Sequence, residues 1–419
     1  MKLTKISLAT IVALGAFSSI ASATPLEEAI KNVDLSGYAR YRYDVKTVKN
    51  DGGTKNNRNF AGATANYNDY SRARHRFTSV ATFKAALDDN FFGVLSLRYN
   101  SFDGSGKTTA GTTSGKEDQT DTRSTFDVAQ IYIGYKVGNT TVTAGRQTIG
   151  SYFTDDAIGT GLKVLNNDIQ GLTLTAAAFD GLESGNKNGW GIDNELLEGY
   201  LNDKSANLYN VGAIGSYDPV SFQLWYSALV DYANFIAADL GVSFDLSQDV
   251  KIGAQAQYGH SDVDNKLRNR SQNNINDVNF YTLQLSSEFF GADASLGYVG
   301  WKVKDFKKGF VTLDDQGKFN DAGEEAFDYT NLRDRGNFLY GTLGYSFNDF
   351  RVGGDIVTGK IKDENGDKTK INEYVARADY KYSKKLKFAT WYSYKTEKEE
   401  NWDNREKEKT FRFEAKYSF

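Results

Sequence analysis

Residues 410–419 read TFRFEAKYSF. Every second residue is apolar or aromatic: Phe411, Phe413, Ala415, Tyr417 and Phe419. The residues between them, Thr410, Arg412, Glu414, Lys416 and Ser418, are polar or charged. A period of two marks a β-strand with unlike faces. The alternation returns at the other end of the chain, where Leu35, Gly37, Ala39, Tyr41 and Tyr43 share one face and Ser36, Tyr38, Arg40, Arg42 and Asp44 the other. It recurs in residues 71–85, with Phe77, Ala81 and Phe83 against Arg72, Arg74, Arg76 and Lys84. In residues 251–259, Ile252, Ala254, Ala256 and Tyr258 oppose Lys251, Gln255 and Gln257. The polar face is too charged for the core of a soluble sandwich, and the apolar face too continuous for a solvated one. A wall with lipid on one side and a wet lumen on the other satisfies both.

Composition agrees. Glycine numbers 40, tyrosine 26 and phenylalanine 27, while proline is 2 and cysteine 0. A soluble all-β protein would use more proline in its turns, and without cysteine an exported chain has no disulfide framework. Export itself is legible: Lys2 and Lys5 precede the apolar run ISLATIVALGAF, and Ala21-Ser22-Ala23 is a small-x-small cleavage site. Residues 1–23 therefore read as a signal peptide and 24–419 as one barrel domain. Losing the two signal lysines takes the net charge from −4 to −6. No other stretch approaches the roughly 20 apolar residues of a membrane-spanning helix.

Connections alternate in length. Short ones fall at 87–90, 137–139, 166–170, 218–220, 247–249, 290–292, 348–349 and 383–385. Long polar ones fall at 45–70, 104–124, 181–206, 262–277, 304–336, 362–371 and 399–407, with two shorter upper connections near 151–158 and 231–232. The expected fold is all-β: a transmembrane antiparallel β-barrel of about 18 strands, with short periplasmic turns and long extracellular loops.

Several stretches carry a family resemblance: TPLEEAIKNVDLSGYARYRYD (24–44), GRQ (145–147), TDDAIGTGLKVLNNDIQGLTL (154–174), NLYNVGAIGSYD (207–218), LDDQG with AGEE (313–325), and the terminal Phe419. Along its whole length the chain resembles the major outer membrane porins of Campylobacter and related bacteria. The resemblance implies an 18-stranded homotrimer that passes cations and small hydrophilic solutes, with the loop after GRQ folded inward. It also implies a calcium site between inward loops, for which Asp155 and Asp314 are the candidates here. TDDAI runs directly into GTG, however, where the family pattern has a few extra residues including an acid. No other cofactor is implied. Similarity to outer-membrane proteins further implies that Tyr417 and Phe419 are read by barrel-assembly machinery.

Alternation assigns Arg40, Arg42, Arg72, Arg74, Arg76, Arg98, Arg377, Lys381, Arg412 and Lys416 to the lumen. They lie on strands that closure brings together, forming a basic wall. The loop after Gln147 carries Asp155 and Asp156, and the next long loop Glu183, Asp193, Glu195 and Glu198. Basic wall against acidic loop would set a transverse field that favours polar solutes. The plainer reading is that the arginines only solvate a wet wall and pair with neighbouring acids.

Enzymatic readings fare poorly. The chain has two histidines. His75 falls on the outward parity. His260-Ser261-Asp262 has hydrolase residue types, but neighbours on a strand point to opposite faces. DENGDKTK (363–370) lacks the spacing of a calcium loop, since Glu373 comes seven residues after Gly366. It reads as a solvated loop tip. Asp314, Asp315, Asp321, Glu324 and Glu325 crowd one loop and suggest a divalent cation or a bridge to lipopolysaccharide. No zinc or phosphate-cradling motif is present, and nothing points to nucleic acid. The expected function is a diffusion porin, weakly to moderately cation-selective, in contact with outer-membrane lipid and lipopolysaccharide. A surface adhesin and a substrate-specific channel are the other readings.

Overall fold

The computed structural model describes residues 33–51, 58–60, 63–65, 70–105, 125–183, 192, 194–201, 206–400 and 405–419; the signal segment 1–23 lies outside them. Eighteen strands form one antiparallel sheet. The first nine are β1 (Val33–Asp51), β2 (Tyr70–Ala86), β3 (Phe91–Ser105), β4 (Thr125–Val137), β5 (Thr140–Thr148), β6 (Ile158–Asn166), β7 (Leu172–Leu182), β8 (Leu208–Tyr217) and β9 (Val220–Leu229). The second nine are β10 (Ala233–Ser247), β11 (Val250–Val263), β12 (Val278–Phe289), β13 (Ala292–Val303), β14 (Arg335–Phe347), β15 (Phe350–Lys362), β16 (Lys368–Lys381), β17 (Leu386–Glu399) and β18 (Arg405–Ser418). Each pairs with its chain neighbours, and β1 also pairs with β18, which closes the barrel. Closure leaves no sheet edge to face hydrocarbon with unpaired N–H and C=O groups.

The outer face follows the alternation. Leu240, Leu283, Leu285, Leu296, Leu343 and Ile356 project outward and are exposed. Near the short-turn end a ladder of rings crosses neighbouring strands, from Phe347 to Phe350 (5.7 Å between centroids), Tyr380 (4.3 Å), Phe388 (6.3 Å) and Phe413 (6.2 Å). Aromatic girdles of this kind sit at the membrane interface.

The interior departs from a uniformly wet lumen. Along β10 to β14 the lumen-facing positions include Phe235, Phe280, Trp301 and Phe338, all buried. Phe153, Phe310, Phe319 and Tyr329, from connecting loops, pack among them. That half of the barrel is dry and filled. Along β16, β18 and β1, by contrast, Arg377, Arg412, Lys416, Arg40 and Arg42 keep partial exposure. The alternation was right about which side each residue faces. It did not tell which loops would cover the lumen-facing positions.

At the seam Phe419 is tied to β1. The Gly37 N–H donates to the Phe419 carbonyl (3.0 Å) and the Phe419 N–H to the Gly37 carbonyl (3.1 Å). A side chain at Gly37 would put its Cβ 2.0 Å from the Val80 carbonyl oxygen and 3.0 Å from the Phe419 ring. Tyr417 and Phe419 remain exposed on the outer face. Deleting Phe419 should lower outer-membrane yield, and Gly37→Val should abolish the compact, heat-modifiable band on gels. Unchanged yield and mobility in both would show that the seam tolerates an open last rung.

Candidate functional site

The loop between β5 and β6, residues 149–157, leaves the wall and enters the lumen. Ile149, Tyr152 and Phe153 are buried there. The Tyr152 hydroxyl donates to Asp239 on β10 (3.1 Å) and accepts from Gln257 on β11 (2.9 Å), while Phe153 packs on Phe235 with centroids 5.2 Å apart. The loop is thus held against the dry wall, and its acidic residues Asp155 and Asp156 end the segment.

The connection between β13 and β14, residues 304–334, also folds inward and braces that loop. Leu313 N–H donates to the Phe153 carbonyl (2.8 Å) and Lys318 N–H to the Tyr152 carbonyl (2.9 Å). One oxygen of the buried Asp314 accepts the backbone N–H groups of Asp155, Asp156 and Ala157, each at 3.1 Å. Asn194, at the start of the short helix Glu195–Leu201, donates to the Thr312 carbonyl (3.0 Å). At its other end the segment is tied to the opposite wall. Glu373 accepts from the N–H groups of Glu324 and Glu325 (3.0 Å each), and Arg377 binds Asp355, Glu324 and the Gly323 carbonyl. Lys46 on β1 bridges Glu325 (2.8 Å) and Glu408 (2.5 Å).

The crowd of acids in 313–325 is therefore dispersed by the fold. Asp314 serves backbone donors, Glu324 serves Arg377 and Glu325 serves Lys46. Burial pushes Asp321 up to about 7. Asp314 is also pushed up to about 7 by burial and the nearby Asp315 and Asp156, against the pull of two of its N–H donors. A calcium ion fits these residues poorly. The Asp314 oxygen nearest the loop is occupied by three N–H groups, Asp155 pairs with Lys318 (3.4 Å), and among the described residues no three acidic or histidine side chains are grouped to hold a metal.

The registers put the whole predicted basic wall on the lumen-facing parity, but not in one role. Arg98 is 1% exposed and bound to Asp127 and Glu183, both at 2.9 Å. It ties β3 to β4 and to the loop after β7. Arg377 anchors the inward segment. Arg42 pairs with Glu414 and Arg412 with Asp44, each at 2.5 Å across the seam. Arg72, Arg74 and Arg76 stand opposite Lys46, Asp44 and Arg42 in the β1–β2 register. Arg40 and Lys416 are paired in register, face the Tyr38 ring at 5.6 and 4.5 Å, and make no ion pair among the described residues. Lys416 in turn stands opposite Lys387, and Lys387 opposite Lys381, so cations continue toward the short-turn mouth.

Asp155 stays exposed, while Asp156 is half-buried. Burial, with Asp155 and Asp315 close by, pushes the Asp156 carboxyl up to about 6; Arg40 and Arg98 pull the other way. The acidic loop and the basic wall therefore act on each other across the lumen. Of the other acids anticipated there, Glu183 is spent on Arg98 and Arg146 (2.7 Å). Asp193 and the side chains of Glu195 and Glu198 lie outside the described residues. The sequence reading missed Asp239, Gln257, Asp355 and Glu373. Their lumen parity was legible, but nothing local marked them out from the other polar residues on the same faces, such as Gln255 and Asp379. His260 and Ser261 diverge as expected, His260 outward to Asn279 (3.2 Å) and Ser261 inward to the Phe310 carbonyl (2.6 Å). Asp363 caps its own turn by accepting from Asn365 (3.0 Å) and Asp367 (2.9 Å).

A closed barrel with a lipid-facing exterior and a charged, loop-narrowed lumen defines an outer-membrane channel of a Gram-negative bacterium, not an enzyme. Solved structures agree on the fold. Pseudomonas aeruginosa OccK9 (OpdG) is similar at a TM-score of 0.70 and 12% identity, over 93% of this chain and 100% of that one. Acinetobacter baumannii OccAB2 is similar at 0.66 and 14%, over 92% and 98%. Pseudomonas aeruginosa OpdK, solved with vanillate, is similar at 0.65 and 12%, over 91% and 99%. No curated protein matches the sequence. The chain matches the family described as Campylobacter major outer membrane protein over residues 1–419, and it belongs to that family.

The Asp314 contact can be tested directly. Asp314→Ala strands three N–H groups, that of Ala157 buried and those of Asp155 and Asp156 part-buried, and should cost about 2–4 kcal/mol, judged from bonds to charged acceptors. Asp314→Asn keeps an acceptor oxygen and should lose less. Urea midpoints for loss of the heat-modifiable form measure both, and single-channel noise should rise in the alanine variant as the loop loosens.

Proposed function

We propose that this porin is a weakly to moderately cation-selective diffusion channel, in which a transverse field at the inward loop sorts small hydrophilic solutes. The observation that carries the reading is the half-buried Asp156 at the end of the inward loop, within the influence of Arg40, in the half of the lumen where charged side chains such as Arg40 keep contact with water. Several lumen arginines are cancelled by a carboxylate within an ion pair, and Asp155 has its own, solvent-exposed partner in Lys318, which leaves Asp156 as the main acidic contribution of the loop. Selectivity is decided where the passage is narrowest and screening weakest, and charges farther apart than about 10 Å are largely screened at 0.1 M salt. Export by a cleaved signal at 1–23, assembly through Tyr417 and Phe419, a homotrimer, and contact with lipopolysaccharide belong to the same reading. No resident calcium enters it, and a chelator should leave conductance unchanged.

One observation favours a second reading. Lys381, Lys387, Lys416 and Arg40 occupy one register row over four neighbouring strands. Such a row would guide small carboxylates, the chemistry of the vanillate found with OpdK. Saturable flux of an aromatic carboxylate would favour it over simple diffusion.

Reversal potentials in planar bilayers test the main reading. The wild type should prefer cations at low salt, and the preference should fade as salt rises. Changing Asp155 and Asp156 to asparagine should move it toward anions, whereas neutralising Asp363 and Asp367 should do little. Asp156 is ionised at pH 7 and neutralised as pH falls through about 6, so cation preference should decline over that window. The double variant should lose this pH response. An anion preference in the wild type, or a double variant with unchanged selectivity, would mean that the basic row governs permeation.

A further inference from the structure

The outer face carries a second charge pattern, unrelated to the lumen. At the long-loop end of β13 to β18 the outward positions are basic. In one register row Lys360 stands opposite Lys370, Lys370 opposite Lys398, and Lys398 opposite Arg405. The adjoining row contains Arg335, Lys362 and Lys368, and Lys302 stands opposite Arg335. Lys302, Lys360, Lys362, Lys370 and Lys398 are exposed and make no ion pair among the described residues. Lys368 pairs with Glu400 at 3.1 Å. Residues directly opposite on antiparallel strands have Cβ atoms about 4.5–5.5 Å apart, and like charges there are destabilising. Four successive like charges at that spacing repel one another unless an anion lies among them.

The belt is local. Over β8 to β12 the outward positions at the same end are Tyr209, Ala228, Asn234, His260 and Asn279, with no lysine or arginine among them. The belt also borders a groove. Tyr298, Asn337, Leu339, Lys360, Lys370 and Lys398 line an open outer cleft of about 650 Å³. Its floor is apolar, with Leu339 outward and exposed, and its upper margin is mainly cationic, with Glu400 paired to Lys368. Tyr374 and Tyr392 lie on the same outward face below the lysines, at the level where aromatic residues meet the headgroup boundary.

We infer that this belt, centred on Lys360, Lys370 and Lys398, is a docking site for the phosphorylated diglucosamine headgroup of outer-leaflet lipopolysaccharide. The lysines would hold the phosphates and the cleft below them the proximal acyl chain. Charge complementarity argues for this occupant. Phosphates are multivalent acceptors for closely spaced ammonium groups. They would relieve the cross-strand repulsion, and an acyl chain suits the apolar floor. The inference deepens the lipopolysaccharide contact proposed above and names its residues.

The test titrates purified, refolded porin in detergent with bisphosphorylated lipid A, fully dephosphorylated lipid A and phosphatidylglycerol, reading binding by native mass spectrometry and the temperature of heat modification. Bisphosphorylated lipid A should bind and raise that temperature, and the other two lipids should do so weakly. Changing Lys360, Lys370 and Lys398 together to glutamine should weaken lipid A binding about tenfold or more, the equivalent of one lost charge-assisted bond. Without lipid, the triple variant should be at least as heat-stable as the wild type, because the repulsion is removed. K384Q/K385Q at the short-turn rim should bind as the wild type does. Equal binding by the triple variant, or by dephosphorylated lipid A, would overturn the site. Equal, lysine-dependent binding of phosphatidylglycerol would overturn its assignment to lipopolysaccharide. Planar-bilayer conductance of the triple variant should be unchanged, so a failure of the lipid site and a failure of the porin reading would register separately.

Discussion

In hydrocarbon a backbone N–H cannot be left without a partner, and the rest of this structure depends on that constraint. It forces β1 to find β18, and closure fixes the parity of every strand between them. The seam is also chemically specific. On its lumen side Arg42 meets Glu414, Asp44 meets Arg412 and Lys46 meets Glu408, each ion pair at 2.5 Å. A slip of one residue would turn these charges toward lipid, at roughly 2–4 kcal/mol for each cation near the midplane. The last strand thus carries its register in its polar residues and its membrane address in Phe411, Phe413, Tyr417 and Phe419.

Inside the barrel the same constraint acts on loops. Residues 149–157 and 304–334 are irregular chain packed in a dry space, and their backbone groups need partners that no ladder supplies. Backbone carbonyls supply some of them, as at Tyr152 and Phe153, and carboxylates supply others. Asp314 takes three N–H groups, Glu373 takes two, and Asp355 takes one from Gly323 (3.2 Å). A carboxylate suits the task because its oxygens have several acceptor positions and bind more strongly than neutral acceptors. The dry half of the lumen and its buried acids are therefore one feature. Aromatic packing of Phe153, Phe235, Phe280 and Phe319 makes the space dry, and the acids make buried loop backbone tolerable there.

The barrel was largely legible in the sequence, because a period of two reports a property of each residue alone: the side on which it stands. Strand number, the short-turn side and the outward placement of His75 and His260 all follow from that property. The state of a lumen charge is a property of a pair, and the pairs are distant in sequence. Arg98 and Arg377 read as members of an open basic wall, yet Glu183 lies 85 residues from the first and Glu324 lies 53 from the second. Likewise the acids of 313–325 read as a cluster because they are close in sequence, although the fold sends Asp314 to the loop after β5 and Glu325 to Lys46 on β1. Inward-facing Phe235, Phe280 and Phe338 were the one local sign that part of the lumen is filled, since an aromatic on the wet face of a barrel strand calls for a covering partner.

These pairings decide what an ion would meet. The basic wall is long, but Arg42, Arg98, Arg377 and Arg412 each lie within an ion pair, so their far fields largely cancel. Beside Arg72, Arg74 and Arg76 on β2, the wall carries Arg40 and Lys416, with Lys387 and Lys381 nearer the mouth, and Lys387 is itself paired with Asp379 at 3.1 Å. Against these stand Asp155 and Asp156. At physiological ionic strength the screening length is about 8 Å, so a charge beyond the neighbouring row contributes little at the loop tip. On the reading proposed above, the contest is local, between Asp155 and Asp156, whose backbone Asp314 holds, and the nearest cations of the seam. Net charge over the whole chain is a poor guide to selectivity for the same reason, and the braces that place the loop matter as much as the charges it carries.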